Sequence, residues 1–213
     1  MYLPKHFEIL QPEQLHRVIR DHPLGILVHQ GGGALDADHL PFEFDPALGP
    51  LGTLRAHVAR ANPLWQTNPQ GSEVMVIFRG VQGYISPNWY PSKHETHRLV
   101  PTWNYEVVHA HGRLHIRDEE RTVRGLVARL TRHHEAEARE PRPWKMGDSP
   151  ADYIDGMLQA IVGIEIELTR LVGKAKLSQN REHRDRLGAS DALRAQGQSD
   201  LAELMRPDAP APD

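Results

Sequence analysis

A chain of 213 residues can bury a sizeable core, and 39% hydrophobic content with a mean hydropathy of -0.55 describes a well-solvated globular protein. A net charge of -3 and a pI near 6.5 give no global attraction for a polyanion, while fourteen histidines make the surface charge sensitive to pH. The lack of cysteine excludes disulfides, thiolate catalysis and Cys-ligated metals; no run nears the ~20 apolar residues of a membrane span, and MYLPKHFEIL lacks a signal peptide's apolar segment, so a cytoplasmic protein without membrane association is expected.

Pro12 followed by Leu15, Val18 and Ile19 at helical spacing predicts a short helix over 12–22, ended by Pro23. Residues 24–30 form a compact apolar run, read as a strand. The glycines at 31–33 turn the chain into a second strand through 37–44. Leu54, Ala56 and Val58 alternate along a third strand over 53–59; Asn62–Pro63 breaks it, and a short helix follows near Leu64–Trp65. The run VMVIF within 73–79 is apolar in both phases, as in a strand covered on both faces, and 80–85 is expected as its hairpin neighbour.

A polar, aromatic loop runs from Ser86 to about Arg98. Residues 102–117 read as one long strand or a hairpin. Trp103, Tyr105 and Val107 share one phase, whereas Val108, Ala110, Leu114 and Ile116 share the other; the switch implies a bulge or bend near 107–108. Acidic residues at 118–120 suit a helix N-terminus, and Val123, Leu126, Val127 and Leu130 make that helix amphipathic. Ser149 as N-cap and Pro150 at the first helical position open a second helix. Val162, Ile164, Ile166 and Leu168 then alternate against Glu165, Glu167 and Thr169 along a half-buried strand. Helix-prone segments follow Gln179 as far as Met205, and 207–213 reads as disordered. Short strands joined by tight turns indicate a mainly β fold with added helices, a barrel rather than a doubly wound sheet. One domain over 1–206 is expected, with a helical insertion at about 118–160 and a helical C-terminus.

Four segments carry chemistry. In LRAHVARANP (54–63), a strand delivers His57 and Arg60, then Asn62 turns the chain; cationic and neutral donors so placed suit a phosphate ester, although a solvated strand end is the plainer reading. In SPNWYPSK (86–93), two prolines stiffen a loop bearing Trp89 and Tyr90, with Ser86, Asn88, Ser92 and Lys93 as donors. In VPTWNY (100–105), Thr102 and Asn104 share one strand face and Trp103 and Tyr105 the other; the plainer reading puts the aromatics in the core. In KAKLSQNR (174–181), Lys176 and Gln179 can reach a ligand, while Ser178 or, better, Asn180 would cap the following helix.

Other chemistries find little support. His109, His111 and His115 share a strand face, but no HExxH motif or convincing carboxylate spacing accompanies them, so no native metal is expected. No GxSxG elbow, P-loop or GxGxxG pattern occurs. The most basic helix face is RTVRGLVARLTR (121–132), read as solvated, and no helix-turn-helix is evident.

The chain resembles the PaiB-like family of FMN-binding proteins, commonly labelled negative transcriptional regulators. The resemblance rests on MYLPKHF (1–7), HPLGILV (22–28), HLPF (39–42), LRAHVARANP (54–63), YISPNWYPSK (84–93), VPTWNYEVVHAHG (100–112) and KLSQNR (176–181), seven blocks in the family's order. The histidine-rich stretch after Pro91, at His94–His97, departs from the pattern. The resemblance implies an FMN-binding split β-barrel with FMN as cofactor, and a homodimer with flavin near the subunit interface. It implies His57, Arg60 and Asn62 near the phosphate, and Thr102, Trp103 and Asn104 near the ring or ribityl chain. Ser86, Tyr90, Lys93, Lys176 and Gln179 stand in second rank, and no catalytic residue is assigned. The function implied is a flavin-dependent regulator or sensor, with direct DNA binding left open. An FMN-dependent oxidoreductase is the alternative, and a haem-binding split barrel a more distant one.

Overall fold

The computed structural model describes residues 1–207, with the side chains of His94 and Thr96 left aside. In chain order the elements are β1 (Glu8–Ile9), α1 (Pro12–Asp21), β2 (Leu24–His29), β3 (Asp36–Pro41), β4 (Glu43–Asp45), β5 (Thr53–Ala59), α2 (Leu64–Thr67), β6 (Ser72–Ile85), α3 (Lys93–Thr96), β7 (Thr102–Arg117), α4 (Glu120–Ala138), α5 (Ala151–Gln159), β8 (Ile161–Lys176), α6 (His183–Ala195) and α7 (Ser199–Met205). The strands pair in the order β3-β2-β6-β7-β8-β5-β4, with β1 also on β8. The pairings of β1 with β8, β2 with β3 and β6, and β5 with β4 and β8 are antiparallel.

The residues gather into two compact units. One comprises Met1–Val18, Arg79–Val108 and the chain from Val172 onward; the other comprises Ile19–Phe78 and His109–Leu171. Strands β6, β7 and β8 each give a stretch to both.

In the second unit, register explains the core. Leu54 pairs with Ile166, Ala56 with Ile164 and Val58 with Val162, and all six side chains are at most 2% exposed. Period-2 alternation sends these residues to one face and Arg55, His57, Glu165 and Glu167 to the other. Burying one such side chain contributes roughly 1.5–3 kcal/mol. Val123 of α4 packs with Ile154 and Leu158 of α5 in a smaller cluster.

In the first unit, Ile85, Tyr90, Leu193, Leu201 and Met205 form the centre of the core. Gly188 sits within α6, where glycine costs roughly 1 kcal/mol relative to alanine. A Cβ there would lie 2.4 Å from the Trp89 carbonyl oxygen, so the glycine lets the 86–93 loop settle against the helix.

Several expectations change. Residues 80–85 are not a hairpin partner but the continuation of β6; Gly80 keeps an ordinary φ, and a Cβ there would come within 2.9 Å of Glu106 Cβ, so it serves close approach rather than a turn. Within β6, Val74, Val76 and Phe78 are buried while Met75 and Ile77 are half-buried, so burial is one-sided rather than two-sided. The single strand expected over 37–44 divides into β3 and β4. Strand β7 runs unbroken through 107–108, and Asn104, Glu106, Val108, Ala110 and Leu114 all face inward. Helix α5 is capped by Pro150 rather than Ser149, without a side-chain cap bond. Helix α6 starts from Glu182, so neither Ser178 nor Asn180 caps it. Beyond Pro207, the expected disordered tail lies outside the described residues.

Candidate functional site

In the first unit, the loop after β6 is pinned at both ends. The Ser86 hydroxyl accepts the Asn88 N–H at 3.2 Å, capping a 3-10 turn that opens with Pro87. Tyr90 is fully buried, and its hydroxyl lies 3.2 Å from Ser178 Oγ. Ser92 donates both its N–H and its hydroxyl to the Asp185 carboxylate, at 3.0 and 2.6 Å. Lys93 Nζ donates to Asn88 Oδ1 within the loop. Two prolines and these five hydrogen bonds brace the loop.

The start of β7 meets the end of β8. Lys176 Nζ donates to Thr102 Oγ1 and, at 2.9 Å, to the Trp103 carbonyl. Burial pulls the Lys176 pKa below its ordinary value, and the neighbouring charges of Lys174 and Arg181 pull it further. Lys174 is 7% exposed; its ammonium lies over the rings of Tyr2 and Tyr105, at 5.7 and 5.4 Å. Arg181 lies over the Tyr90 ring at 5.6 Å. Among the described residues, none of these three cations is paired with a carboxylate. Alongside, Trp103 and Tyr84 stay 49% and 46% exposed, with rings 6.4 Å apart and edge to face.

The inward face of β7 is polar at this end. Asn104 is fully buried; Nδ2 donates to Ser178 Oγ at 2.9 Å and contacts Met205 Sδ at 3.2 Å, while Oδ1 has no partner among the described residues. Ser178 holds a left-handed φ of 64°, uncommon outside glycine, and so presents its hydroxyl to both Tyr90 and Asn104. Glu106 accepts from Arg17 Nη2 at 2.6 Å, leaving Oε2 without a partner among the described residues. The expectation of Trp103 in the core is therefore inverted, while Tyr105 is half-buried: the phase set by Val108, Ala110 and Leu114 carries back to Glu106 and Asn104 and turns Trp103 outward. Gln179 folds onto its own loop, donating to the Ala175 carbonyl at 2.5 Å and accepting from the Leu177 N–H at 2.8 Å.

In the second unit, β5 delivers His57 and the turn after it Arg60 and Asn62. The Arg60 guanidinium is occupied: it grips Asp118 bidentately at 3.0 and 2.5 Å and donates to the carbonyls of Gln159 and Ile161 at 2.6 and 3.0 Å. Hydrogen bonding to Asp118 raises the Arg60 pKa and lowers that of Asp118. The side chain thus ties the approach to α4 to the end of α5. Asn62 donates to Asp38 at 2.7 Å and accepts the Leu64 N–H at 2.8 Å. The other Asp38 oxygen lies 3.1 Å from Nε2 of buried His29, whose Nδ1 meets Asn68 at 3.2 Å. His57 Nδ1 is buried with no partner among the described residues, and burial lowers the pKa of the ring.

Of the histidines, His109 and His111 have ring centroids 6.4 Å apart. One grouping among the described residues brings three potential ligand atoms within 4.8 Å: His133, His134 and Glu137 on α4. Contacts of 3.4 and 3.6 Å between each histidine and Glu137 already account for that geometry.

The structure brings Thr102, the Trp103 backbone and Lys176 together, and joins Tyr90 to Asn104 through Ser178. Ser86, Lys93 and Gln179 bond within their own loops; Arg60 and Asn62 reach two different sets of partners, and His57 Nδ1 has none among the described residues. Sequence reasoning passed over Lys174, Arg181 and the Ser92–Asp185 bond. Lys174 and Lys176 stand two apart on a strand, and that spacing was the available signal for a shared face.

A family model described as "Putative FMN-binding domain" matches residues 1–170. The chain is 28% identical over 208 residues to the protease synthase and sporulation protein PAI 2 of Bacillus subtilis, with 96% of each chain covered. It is 34% identical over 221 residues to an uncharacterized protein of Emericella nidulans, with 88% of each covered. Among solved structures it resembles the flavocytochrome Anf3 of Azotobacter vinelandii, with a TM-score of 0.57 and 12% identity over 82% of this chain and 72% of that one. It also resembles an FAD- and heme-binding protein of Mycobacterium smegmatis, with a TM-score of 0.51 and 16% identity over 79% and 73%. At such identities the likeness is one of fold, the split β-barrel with added helices.

Proposed function

The chain belongs to the FMN-binding domain family, and from that premise we propose that it is a flavin-loaded regulator or sensor, with the phosphate held by the cationic cluster of the first unit. The observation that carries this reading is the set of three cations, Lys174, Lys176 and Arg181, without a carboxylate partner among the described residues. Like charges gathered without a counter-ion repel one another, and a phosphate dianion relieves that repulsion. Lys176 and Thr102 would hold the ester, Lys174 and Arg181 would add to the field, and the exposed faces of Trp103 and Tyr84 would offer planar apolar surface. FMN, when bound, supplies reversible electron and hydride chemistry. Asn104, Ser178 and Tyr90 would position that wall from beneath, while Ser86 and Lys93 shape the loop. Arg60, with its donors committed to Asp118 and two carbonyls, would anchor the helical insertion.

The Bacillus subtilis relative is named a protease synthase and sporulation protein, and the link to sporulation supports a regulatory role. Direct DNA binding gains no support from α4: Arg124 is paired with Glu120 and Asp155, and Arg129 with Glu43. We read regulation as running through flavin redox or metabolite state, in a cytoplasmic homodimer with FMN near the subunit contact; exposed Tyr84, Val100 and Trp103 supply apolar surface for it. No helix among the described residues is long and apolar enough to cross a membrane.

The test is an FMN titration followed by visible absorbance and flavin fluorescence. One lost charge-assisted bond is worth about 1.5–3 kcal/mol, so Lys176→Ala should weaken FMN by about tenfold or more and leave riboflavin nearly unchanged. Equal losses for both ligands would remove the phosphate from Lys176. A Soret band on haem addition without flavin uptake would overturn the reading. Rapid turnover of flavin by NAD(P)H would favour the oxidoreductase alternative over the sensor.

A further inference from the structure

The second unit contains a cavity of about 300 Å³ that the flavin reading does not use. Its wall is built from His57 of β5, Val127 of α4, Trp144 of the segment before α5, and Tyr153, Met157 and Leu158 of α5. Trp144, Tyr153 and Met157 are 41%, 59% and 51% exposed, so large apolar groups are gathered around one concavity instead of being buried. Among the described residues, no Lys, Arg, Asp or Glu side chain lines it. The ring of His57 is the titratable group on the wall besides the Tyr153 phenol, and its Nδ1 is buried without a hydrogen-bond partner among the described residues. A buried unsatisfied nitrogen is costly, and burial also keeps the imidazole in its neutral form.

Size and lining narrow the occupant. An α-helix needs roughly 10–12 Å of width, which suits a long groove rather than this recess. An apolar cavity of about 150 Å³ admits one benzene ring, so twice that volume suits two fused rings. A charged ligand would lose its hydration with no counter-charge on the wall. We propose that this cavity binds a small neutral aromatic molecule of about two fused rings bearing one hydroxyl or amine, whose polar group pairs with His57. The site lies within the second unit and shares no residue with the phosphate cluster of the first.

Calorimetric titration of the FMN-supplied protein with 2-naphthol, naphthalene and 2-naphthalenesulfonate tests this. The expected result is saturable one-to-one binding of 2-naphthol, weaker binding of naphthalene by about two- to tenfold, and no binding of the sulfonate. Met157→Trp, which fills the cavity from its exposed rim, should abolish 2-naphthol binding while circular dichroism and FMN uptake stay unchanged. His57→Leu should bring 2-naphthol down to the level of naphthalene. Equal binding of the sulfonate, or binding that survives Met157→Trp, would overturn the proposal. So would displacement of 2-naphthol by FMN, which would make the cavity part of the flavin site. A dimer that dissociates on ligand binding or in Met157→Trp would make it a subunit contact and overturn it equally.

Discussion

Replacing Asn104 by leucine should leave the protein as stable as it is or stabilise it, an unusual outcome for a fully buried polar residue. Asn104 Nδ2 has one oxygen acceptor, Ser178 Oγ at 2.9 Å, while Oδ1 has no partner among the described residues. Leucine removes both groups with the same branched shape and number of heavy atoms, although its methyls are bulkier than the amide, which sets a packing cost against part of the gain. The lost hydrogen bond costs about 0.5–1.5 kcal/mol, whereas relief of a buried unsatisfied carbonyl returns about 1–3 kcal/mol. Ser178 Oγ keeps the Tyr90 hydroxyl at 3.2 Å, so no new orphan appears. The net is a gain of roughly 1 kcal/mol, or about 2–4 °C in melting temperature for a chain of this size. Asn104→Ala also removes the unsatisfied carbonyl but opens a cavity beside Met205 of α7, so it should be less stable than the leucine variant. Thermal unfolding by circular dichroism measures both. A fall of more than about 5 °C for the leucine variant would refute the reasoning, since it would require Oδ1 to be satisfied and the amide to be needed for stability. The same variant separates two roles: a stable Asn104→Leu protein that binds FMN poorly would identify Asn104 as a positioning residue of the flavin wall.

Two further predictions concern the second unit. Arg60→Ala should accelerate hydrogen exchange at 118–120 and 159–161 and change FMN and riboflavin affinity by the same factor; a loss confined to FMN would return the phosphate to Arg60. Glu165 feels burial, which raises its pKa, but the hydrogen bonds and charges of Arg117 and Arg55 outweigh it and hold the group below its ordinary value. The unfolded chain therefore binds the proton first, so this stability is present above about pH 4.5 and is lost as pH falls through the lower folded value. Glu165→Gln should flatten the acid limb of the stability curve, and an unchanged limb would refute the assignment.

Much of the fold was legible because it rests on period and punctuation. The apolar spacing of 12–21, the alternation of 53–59 and 162–168, and the i, i+3, i+4, i+7 pattern at 123–130 each became the element they announce. Gly80 looked like a turn because glycine is usually punctuation, yet here it admits the Glu106 side chain against a continuous strand, a tertiary neighbour that no local window contains. Ser149 and Asn180 looked like caps, yet α5 and α6 start from Pro150 and Glu182 without side-chain cap bonds.

The site was legible as segments but not as faces. Polarity assigns Asn104 to the surface and Trp103 to the core, and the structure reverses both. Hydrophobicity sets a strand's phase only where its residues are unambiguous; in β7 those are Val108, Ala110 and Leu114, and they dictate the orientation of every residue upstream. Asn104 and Glu106 can then lie inward because Ser178 and Arg17 reach them from distant segments. The same inversion leaves Trp103 exposed beside Tyr84. Polar residues inside and aromatics outside run against stability on both counts. A sequence that departs from its own hydrophobic logic at one end of one strand, beside three cations lacking carboxylate partners among the described residues, carries there the departure that the proposed flavin site would explain.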